Sequence, residues 1–266
     1  MATVGQWLRD LDHDSRLEGE LLLAERLNRT RSQILAYPET PLSATELDDL
    51  QQSLARVQAG EPLAYLLDSR EFWGLEFEVN PDVLIPRPET ELLVELVAQS
   101  APAGASVLEL GTGSGAIAIA LASERTDLVI TATDISAAAI AVAERNACRL
   151  AASVTFIKSG WFDAISGRFD VIVSNPPYIR EDDPHLPALH HEPILALVAP
   201  DNGCQALDLI ASQAAAHLQP QGLLMLEHGF DQGPHVCERL TAAGFSQVQV
   251  HQDLTGHHRA TSGRYL

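Results

Sequence analysis

The sequence predicts an α/β fold: a doubly wound, mostly parallel sheet, preceded by a small all-α domain and a β-hairpin linker. Three observations predict it. From Ser106 onward, short apolar runs alternate with helical stretches, which is the pattern of βαβ units in a parallel sheet. A glycine-rich loop at residues 111–115 follows the first run and opens an apolar helix. Residues 1–70, by contrast, show only helical periodicity.

The N-terminal 70 residues are predicted to form a separate helical domain. Leucines at positions 17, 21, 22 and 23 are interspersed with charged residues, as on an amphipathic helix. Ser43 begins another helix, because Glu46 three residues later completes a capping-box pattern. That helix is expected to end at Gly60, just before Pro62.

A linker is predicted over residues 71–91. Residues 72–79 alternate between apolar and polar, residues 80–82 (Asn-Pro-Asp) have turn composition, and residues 83–85 are apolar again. We interpret this stretch as a β-hairpin whose turn lies at residues 80–82. A helix then begins at Leu92, and residues 92–266 form the α/β domain.

The α/β domain is predicted to contain at least six strands separated by helices. The predicted strands are Val107–Leu110, Leu128–Thr133, Val154–Ile157, Phe169–Ser174, Gly222–Glu227 and Gln247–Val250. The predicted helices are Ala116–Glu124, Ser136–Leu150, Cys204–Leu218 and Gly233–Ala243.

Composition excludes several classes of protein. No run of 18 apolar residues is present, and the first residues lack the basic start and apolar stretch of a signal peptide, so we expect a cytoplasmic protein without a membrane span. The formal charge of −19 is spread along the chain, which opposes direct binding of nucleic acid. Cys148, Cys204 and Cys237 are far apart in the sequence, and neither they nor the histidine doublets predict a metal site.

The glycine loop indicates a site for an adenosine cofactor. Glycines allow the backbone to turn sharply and to approach a ligand closely. Asp134 ends the next predicted strand, where its carboxylate can accept hydrogen bonds from both ribose hydroxyls. The loop also satisfies the dinucleotide pattern G-x-G-x-x-A. Glu109 lies two residues before Gly111. A carboxylate there suits a sulfonium and an ammonium group better than a pyrophosphate, so S-adenosyl-L-methionine is favoured over NAD.

A tetrapeptide, Asn175-Pro176-Pro177-Tyr178, directly follows the predicted strand 169–174. An amide nitrogen is a poor nucleophile because its lone pair is delocalised. The Asn175 side-chain oxygen and the Pro176 carbonyl can accept its two N–H bonds, Tyr178 can stack on the planar group, and the prolines stiffen the loop. The tetrapeptide contains no base, so orientation rather than proton abstraction would drive methyl transfer. We therefore predict catalytic roles for Asn175, Pro176 and Tyr178 in N-methylation of a planar nitrogen.

These two motifs together resemble the class I amino-methyltransferases, which act on adenine N6, cytosine N4 or glutamine N5. Further segments resemble the bacterial release-factor glutamine methyltransferases over nearly the full length of the chain. These segments are residues 70–74 (Arg-Glu-Phe-Trp-Gly), 84–91 (Leu-Ile-Pro-Arg-Pro-Glu-Thr-Glu), 227–229 (Glu-His-Gly) and 259–264 (Arg-Ala-Thr-Ser-Gly-Arg).

The resemblance implies a Rossmann-like sheet of seven strands and methylation of the glutamine side-chain amide in the Gly-Gly-Gln loop of class 1 peptide chain release factors. S-adenosyl-L-methionine would be the methyl donor and S-adenosyl-L-homocysteine the product. Release factors would be the partners, residues 1–70 would recognise them, and we expect the enzyme to be a monomer.

The resemblance also assigns residues to the site. The residues implied in cofactor binding are Gly111, Thr112, Gly113, Ser114, Gly115, Asp134, Trp161 and Asn175, to which the charge argument above adds Glu109. The residues implied in glutamine binding are Asn175, Pro176, Pro177 and Tyr178, with Arg87 and Glu89 at the mouth of the site.

Two positions depart from the family pattern. Gly160 stands before Trp161, where the family often has an acidic residue, so an adenine contact is missing or replaced. His191 stands before Glu192 and Pro193, where an arginine is common, and the stretch from His185 to Pro193 is slightly short, which puts partner docking through that segment in doubt.

Four alternatives remain open from the sequence. A glutamine methyltransferase of a large-subunit ribosomal protein shares the tetrapeptide, although residues 86–91 look more like the release-factor enzymes. An NAD-dependent oxidoreductase would use the same glycine loop. A DNA adenine or cytosine amino-methyltransferase is opposed by the acidic charge and the lack of an obvious target-recognition insertion. A non-enzymatic binding module would need none of the proposed site residues.

Overall fold

The structure, a computed structural model, describes residues 2–266. The chain divides into two compact units, one ending at Ser69 and the other spanning Arg70–Leu266. No helix among the described residues combines the length and the apolar content needed to cross a membrane.

The first unit is all-helical. Its helices are α1 (Val4–Asp10), α2 (Arg16–Arg26), α3 (Arg31–Ala36), α4 (Ala44–Gln58) and α5 (Leu63–Leu66). The predicted capping box of α4 is present: the Ser43 hydroxyl accepts the Glu46 N–H at 3.2 Å, and the Glu46 carboxylate accepts the Ser43 N–H at 2.7 Å. Buried Trp7, Leu23 and Ile34 contribute to a core that belongs to this unit.

A β-hairpin opens the second unit, but the predicted position of its turn is wrong. Its strands are β1 (Ser69–Phe72) and β2 (Leu75–Glu78), so the chain reverses at Trp73 and Gly74 rather than at residues 80–82. Both turn residues have positive φ, 54° and 69°, as a two-residue turn between twisted strands requires. The Trp-Gly pair therefore interrupts the alternating stretch at residues 72–79, and residues 83–85 form no strand.

The remainder of the second unit is a seven-stranded sheet flanked by helices. Its strands are β3 (Ser106–Leu110), β4 (Val129–Asp134), β5 (Val154–Lys158), β6 (Phe169–Ser174), β7 (Leu218–Glu227), β8 (Phe245–Gln252) and β9 (His258–Tyr265). Its α-helices are α6 (Glu91–Ser100), α7 (Ala116–Glu124), α8 (Ala137–Arg149), α9 (Ile194–Leu197), α10 (Gln205–Gln213) and α11 (Gly233–Ala242). Short 3₁₀ helices lie at Pro88–Thr90, Leu186–Leu189 and Ala214–His217.

The strand order is β5-β4-β3-β6-β7-β9-β8. Strands β3 to β7 are parallel, whereas β9 is antiparallel to both β7 and β8. The predicted doubly wound, mostly parallel sheet is confirmed. The sequence prediction omitted β9, whose residues, His-Arg-Ala-Thr-Ser-Gly-Arg-Tyr, carry few large apolar side chains. It is buried because it lies between two neighbouring strands.

Both faces of the sheet are covered by apolar side chains. One cluster packs α6 and α7 on the sheet, with Leu93, Ile119 and Val107 fully buried. The other packs α10 and α11 on the opposite face, around Ile210, Leu240 and neighbouring side chains. Burial on both faces explains why the central strands read as continuous apolar runs, and it fixes the positions of the loops at their carboxyl ends.

Candidate active site

A cavity of about 490 Å³ opens at the carboxyl ends of the central strands. From β3, the chain adds β4 and β5 on one side and β6 and β7 on the other, so the winding direction reverses between β3 and β6. Ligands of open α/β sheets bind at such a switch point. The volume lies in the range of small-molecule sites. Of the predicted site residues, Gly111, Gly113, Asp134, Trp161, Asn175 and Pro177 line the cavity.

The glycine loop connects β3 to α7 and forms one wall. Gly111 and Gly113 have φ of 73° and 55°, a left-handed backbone that other residues adopt only with strain. A Cβ added at Gly113 would meet nothing within 4 Å. Open space therefore lies next to this backbone, which lines the cavity. The Thr112 N–H donates to Thr133 of β4 at 2.8 Å, which ties the loop to the next strand. Thr112, Ser114 and Gly115 lie in the loop but do not line the cavity.

Asp134 is held at the end of β4 by backbone donors. Its Oδ2 accepts the Gly113 N–H and its Oδ1 accepts the Ser136 N–H, both at 2.9 Å. Burial raises the pKa of this carboxyl above its ordinary value, and the two backbone hydrogen bonds oppose the increase. The side chain is thus fixed in position at the cavity wall, with oxygen lone pairs left to accept from a ligand.

Glu109 does not occupy the position expected from the sequence. It is 1 % exposed and does not line the cavity. Its Oε2 instead accepts hydrogen bonds from the Thr112 hydroxyl at 2.7 Å and from the Ala118 N–H at 3.1 Å. Glu109 therefore holds the loop in place from the protein interior. Burial raises its pKa to about 8. The carboxyl is therefore mostly uncharged at neutral pH, and its charge does not select the cofactor as the sequence argument required.

The electrostatic preference of the cavity rests on other residues. Asp82, Asp134 and Asp163 line it, and among the described residues no Arg, Lys or His does so. A dinucleotide pyrophosphate would need positive charge or a bank of donors. Carboxylates without a cationic side chain fit a ligand that carries a positive charge, such as a sulfonium with an ammonium group.

Trp161 lies beside the glycine loop. Its ring edge comes within 3.8 Å of where a Cβ on Gly111 would stand. The absence of an acidic side chain at Gly160 is offset in space, because a Cβ on Gly160 would lie 2.9 Å from the Asp163 carboxylate oxygen. A carboxylate therefore occupies this part of the cavity although the residue before Trp161 is glycine. Asp163 belongs to no motif that the sequence analysis identified.

The tetrapeptide divides between the cavity and the protein interior. Asn175 and Pro177 line the cavity, and the Asn175 amide Nδ2 donates to the Thr90 hydroxyl at 3.1 Å. Pro176 is buried, and Tyr178 packs against the core around β6 and β7 without lining the cavity.

The Tyr178 ring packs against the core around β6 and β7, and its role in stacking on the substrate stays a prediction. Its hydroxyl donates to Glu227 Oε1 at 3.1 Å. Burial raises the pKa of the Tyr178 phenol, so the hydroxyl stays protonated as the donor.

Glu227, at the end of β7, belongs to the Glu-His-Gly segment at residues 227–229. It is 1 % exposed. Burial raises its pKa to about 7, while the neighbouring Thr90, Tyr178 and Arg259 each lower it. Its proximity to the tetrapeptide follows from the pairing of β6 with β7, in which Ser174 is opposite Leu226.

Arg87 and Glu89 do not line the cavity. Arg87 forms an ion pair with Glu192, which is almost fully buried and also accepts the Ile85 N–H at 3.1 Å. Glu89 is exposed. Arg87 therefore holds the buried Glu192 carboxylate and does not face the cavity. The ion pair with Arg87 and the hydrogen bond from Ile85 hold the segment that contains Glu192 in place, although His191 and not an arginine precedes it.

Two protein-family models match this chain, one in each of its two units. Residues 6–67 match the family model described as PrmC N-terminal domain, and residues 88–194 match the model described as Methyltransferase small domain. A Pseudomonas aeruginosa protein named release factor glutamine methyltransferase is 48% identical over 258 residues, which cover 94% of this chain and 93% of that protein.

A protein of the same name from Escherichia coli K12 is 43% identical over 270 residues, covering 97% of this chain and 98% of its own. Among solved structures, a methyltransferase from Pyrococcus furiosus superposes with a TM-score of 0.57 at 22% identity, covering 80% of this chain and 98% of that one. This last likeness concerns the fold.

Proposed function

The chain belongs to the release factor glutamine methyltransferase family, and we propose that it transfers a methyl group from S-adenosyl-L-methionine to the N5 amide nitrogen of the glutamine in the Gly-Gly-Gln loop of class 1 peptide chain release factors. One observation of the structure supports this reaction most directly. Asn175 and Pro177 open onto the same cavity as Gly111, Gly113 and Asp134, so an amide held by the tetrapeptide would lie beside the cofactor.

The cavity fits this cofactor better than NAD. Bare glycine backbone and the fixed Asp134 carboxylate suit an adenosine ribose, and the acidic lining without a cationic side chain suits a cationic ligand. When bound, S-adenosyl-L-methionine supplies an electrophilic methyl group on its sulfonium. Gly111, Gly113, Asp134 and Trp161 would hold it.

The residues of the chain contribute orientation. The Asn175 side-chain oxygen and the Pro176 carbonyl would accept the two N–H bonds of the glutamine amide and aim its nitrogen at the methyl carbon. The rigid Pro-Pro pair limits the entropy lost on binding. During transfer the amide nitrogen would gain positive charge, which the two oxygens would stabilise, and its proton would leave to water.

The first experiment identifies the modified residue. The purified protein is incubated with a bacterial class 1 release factor and S-adenosyl-L-methionine labelled in the methyl group, and the product is digested and mapped by mass spectrometry. We expect one methyl group on the loop glutamine and none when that glutamine is replaced by alanine. Label on a large-subunit ribosomal protein, with none on the release factor, would instead support the paralogous activity.

A second measurement tests the cofactor. We expect S-adenosyl-L-homocysteine to raise the thermal unfolding temperature, because a ligand that binds only the folded state stabilises it. Asp134→Ala should abolish this increase, whereas Glu89→Ala, an exposed acidic residue outside the cavity, should leave it intact. Stabilisation by NAD with none by S-adenosyl-L-homocysteine would contradict the assignment.

We further propose that the N-terminal helical unit recognises the release factor. It carries the exposed apolar side chains Leu17, Leu35 and Tyr37, and such groups are candidates for contact with a partner protein. Tyr37→Ala is expected to raise KM for the release factor while kcat and cofactor affinity stay unchanged. An unchanged KM for Tyr37→Ala and for the corresponding Leu17 and Leu35 variants would refute this role for these side chains.

A further inference from the structure

The tetrapeptide is anchored at its end by a side chain that lies outside the cavity. Gln232 stands immediately before α11, is 9 % exposed and does not line the cavity. Its side-chain Nε2 donates to the Tyr178 backbone carbonyl at 3.1 Å and lies 3.4 Å from the Asn202 carbonyl. Its Oε1 accepts the Gly229 N–H at 2.8 Å. One carboxamide therefore joins the turn after β7 to two segments that are 54 and 30 positions away in the sequence.

The three backbone groups around this side chain require a carboxamide in one orientation. Nε2 faces two carbonyl oxygens, which accept hydrogen bonds, whereas Oε1 faces an N–H group, which donates one. An ionised carboxylate of the same shape would have no hydrogen to donate to the carbonyls, and an aliphatic side chain would pair with none of the three groups. Glutamine at position 232 therefore matches all three backbone groups at once.

The segments that meet at this carboxamide also form part of the cavity wall. Pro177 lines the cavity and directly precedes Tyr178, and Pro200 lines it immediately before the loop at residues 201–203. Gly203 in that loop packs directly on the tetrapeptide, because a Cβ there would lie 2.1 Å from the Tyr178 carbonyl oxygen. The Tyr178 carbonyl is therefore held between this loop and the carboxamide.

Rigid prolines lie between the Tyr178 carbonyl and Asn175. Each proline ring fixes its own backbone φ, so few torsions remain that could absorb a displacement at one end of the tetrapeptide. We propose that Gln232 is a positioning residue for methyl transfer: by holding the Tyr178 carbonyl, it fixes the direction in which Asn175 faces the glutamine amide. The identity of that amide rests on the proposed function, whereas the anchoring of the tetrapeptide does not.

Two substitutions disturb the Tyr178 carbonyl in different ways. Gln232→Met keeps the length of the side chain and removes its hydrogen bonds, whereas Gly203→Ala crowds the carbonyl. We expect each to lower kcat in single-turnover methyl transfer to a release factor by roughly 10- to 100-fold, since a misplacement of 1 Å can cost about 100-fold. Affinity for S-adenosyl-L-homocysteine should stay unchanged, because Asp134 and the glycine backbone are untouched.

Two control variants lose stability at the amino edge of the sheet, away from the cavity. Arg125→Met removes side-chain hydrogen bonds to backbone carbonyls at the end of α6, and Gly104→Ala adds a side chain at φ +70° with nothing within 4 Å. Both should lower the free energy of unfolding and leave kcat unchanged. A folded Gln232→Met variant with the kcat of these controls would overturn the proposal, and it decides the matter alone if Gly203→Ala does not fold.

A role exerted through Asn175 also predicts that the losses are not additive. In an Asn175→Ala background, Gln232→Met should cause little further loss of kcat, because the group that it positions is already absent. A full additional loss in the double variant would show that Gln232 acts by another route and would refute the proposal.

An NMR readout is independent of turnover. The side-chain NH₂ signal of Asn175, assigned by its loss in Asn175→Ala, should change its chemical shift in Gln232→Met and keep it in Arg125→Met. An unchanged shift in Gln232→Met would overturn the proposal. If the wild type transfers no methyl group to a release factor, the proposed function fails, yet this comparison still decides whether Gln232 positions Asn175.

Discussion

Replacement of Asn175 by alanine tests whether the tetrapeptide performs the chemistry. The substitution removes the side-chain oxygen proposed to hold the glutamine amide and the Nδ2 that donates to Thr90 at 3.1 Å. Asn175 lines the cavity at the end of β6, so the backbone of the sheet is not directly disturbed. We expect a large loss of turnover in a protein that still folds.

The size of the loss follows from the interactions removed. Loss of one fixed group that stabilises charge in a transition state lowers kcat by roughly 10²- to 10³-fold, or about 3–4 kcal/mol. The structural cost is smaller, because one hydrogen bond between partly buried groups contributes about 1 kcal/mol to the free energy of unfolding. Binding of S-adenosyl-L-homocysteine should weaken little, since Asp134 and the glycine backbone remain.

Asn146→Ala is the matched control. Asn146 is fully buried, and its side chain makes three hydrogen bonds with backbone groups, Glu78 N, Glu78 O and Ser114 O, of 2.7, 2.9 and 2.9 Å. Its loss should lower the free energy of unfolding by roughly 3 kcal/mol, since buried backbone groups lose their partners.

The assays are single-turnover methyl transfer to a release factor, calorimetric titration with S-adenosyl-L-homocysteine, and urea unfolding. Asn175→Ala should fail in the first and Asn146→Ala in the last. Near-normal methyl transfer by folded Asn175→Ala would refute the proposed mechanism.

Three further predictions test the fold of the second unit. Gly115→Ala should lower the free energy of unfolding by roughly 2–4 kcal/mol, because φ is +84° and the new Cβ would lie 2.8 Å from Ile119 Cδ1. Gly104→Ala, at φ +70° with nothing within 4 Å, should cost only about 1–2 kcal/mol, and equal losses in urea would show that crowding at Gly115 is unimportant. Glu109→Gln tests the buried carboxyl, whose pKa is raised to about 8. A raised acid pKa makes the folded state bind more protons than the unfolded state, so wild-type stability should fall as pH rises from about 4.5 to 8. The fall, on the order of a few kcal/mol, should be smaller in Glu109→Gln when urea unfolding is compared at pH 5.5 and 8.5, and parallel pH profiles would contradict a buried, proton-binding Glu109. Finally, Arg87→Met leaves the buried Glu192 carboxylate without its cation and should cost roughly 3–5 kcal/mol, with much of the stability regained in the double variant Arg87→Met/Glu192→Met. A single variant as stable as the wild type would show that the ion pair is dispensable.

The sequence was sufficient for features whose signals are local. Glycines that need positive φ, a capping serine with a glutamate three residues later, and apolar runs buried on both sheet faces each occupy a few consecutive residues. The strands and helices of the sheet domain could therefore be predicted, with errors where the local signal was weak. The hairpin turn lies at Trp73 and Gly74 and not at residues 80–82, although residues 80–82 have the stronger turn composition, and β9 carries no strong local signal because its burial comes from neighbouring strands.

The direction of individual side chains was less predictable. Glu109 and Tyr178 both belong to motifs that point to the site, yet one lies beneath the glycine loop and the other points its hydroxyl to Glu227. A motif fixes where the backbone passes, whereas the partners of a polar side chain depend on elements that are distant in sequence.

By itself, then, the sequence determined the parallel α/β architecture, the position of the glycine loop and the family of the chain, because each depends on residue types at fixed short spacings. Only the tertiary structure decided which polar groups meet. The meeting of Asn175 with Thr90, of Tyr178 with Glu227, and of Asp163 with the space beside Gly160 is set by strand pairing and loop packing. Those contacts form between residues far apart in the chain, and no local pattern encodes them.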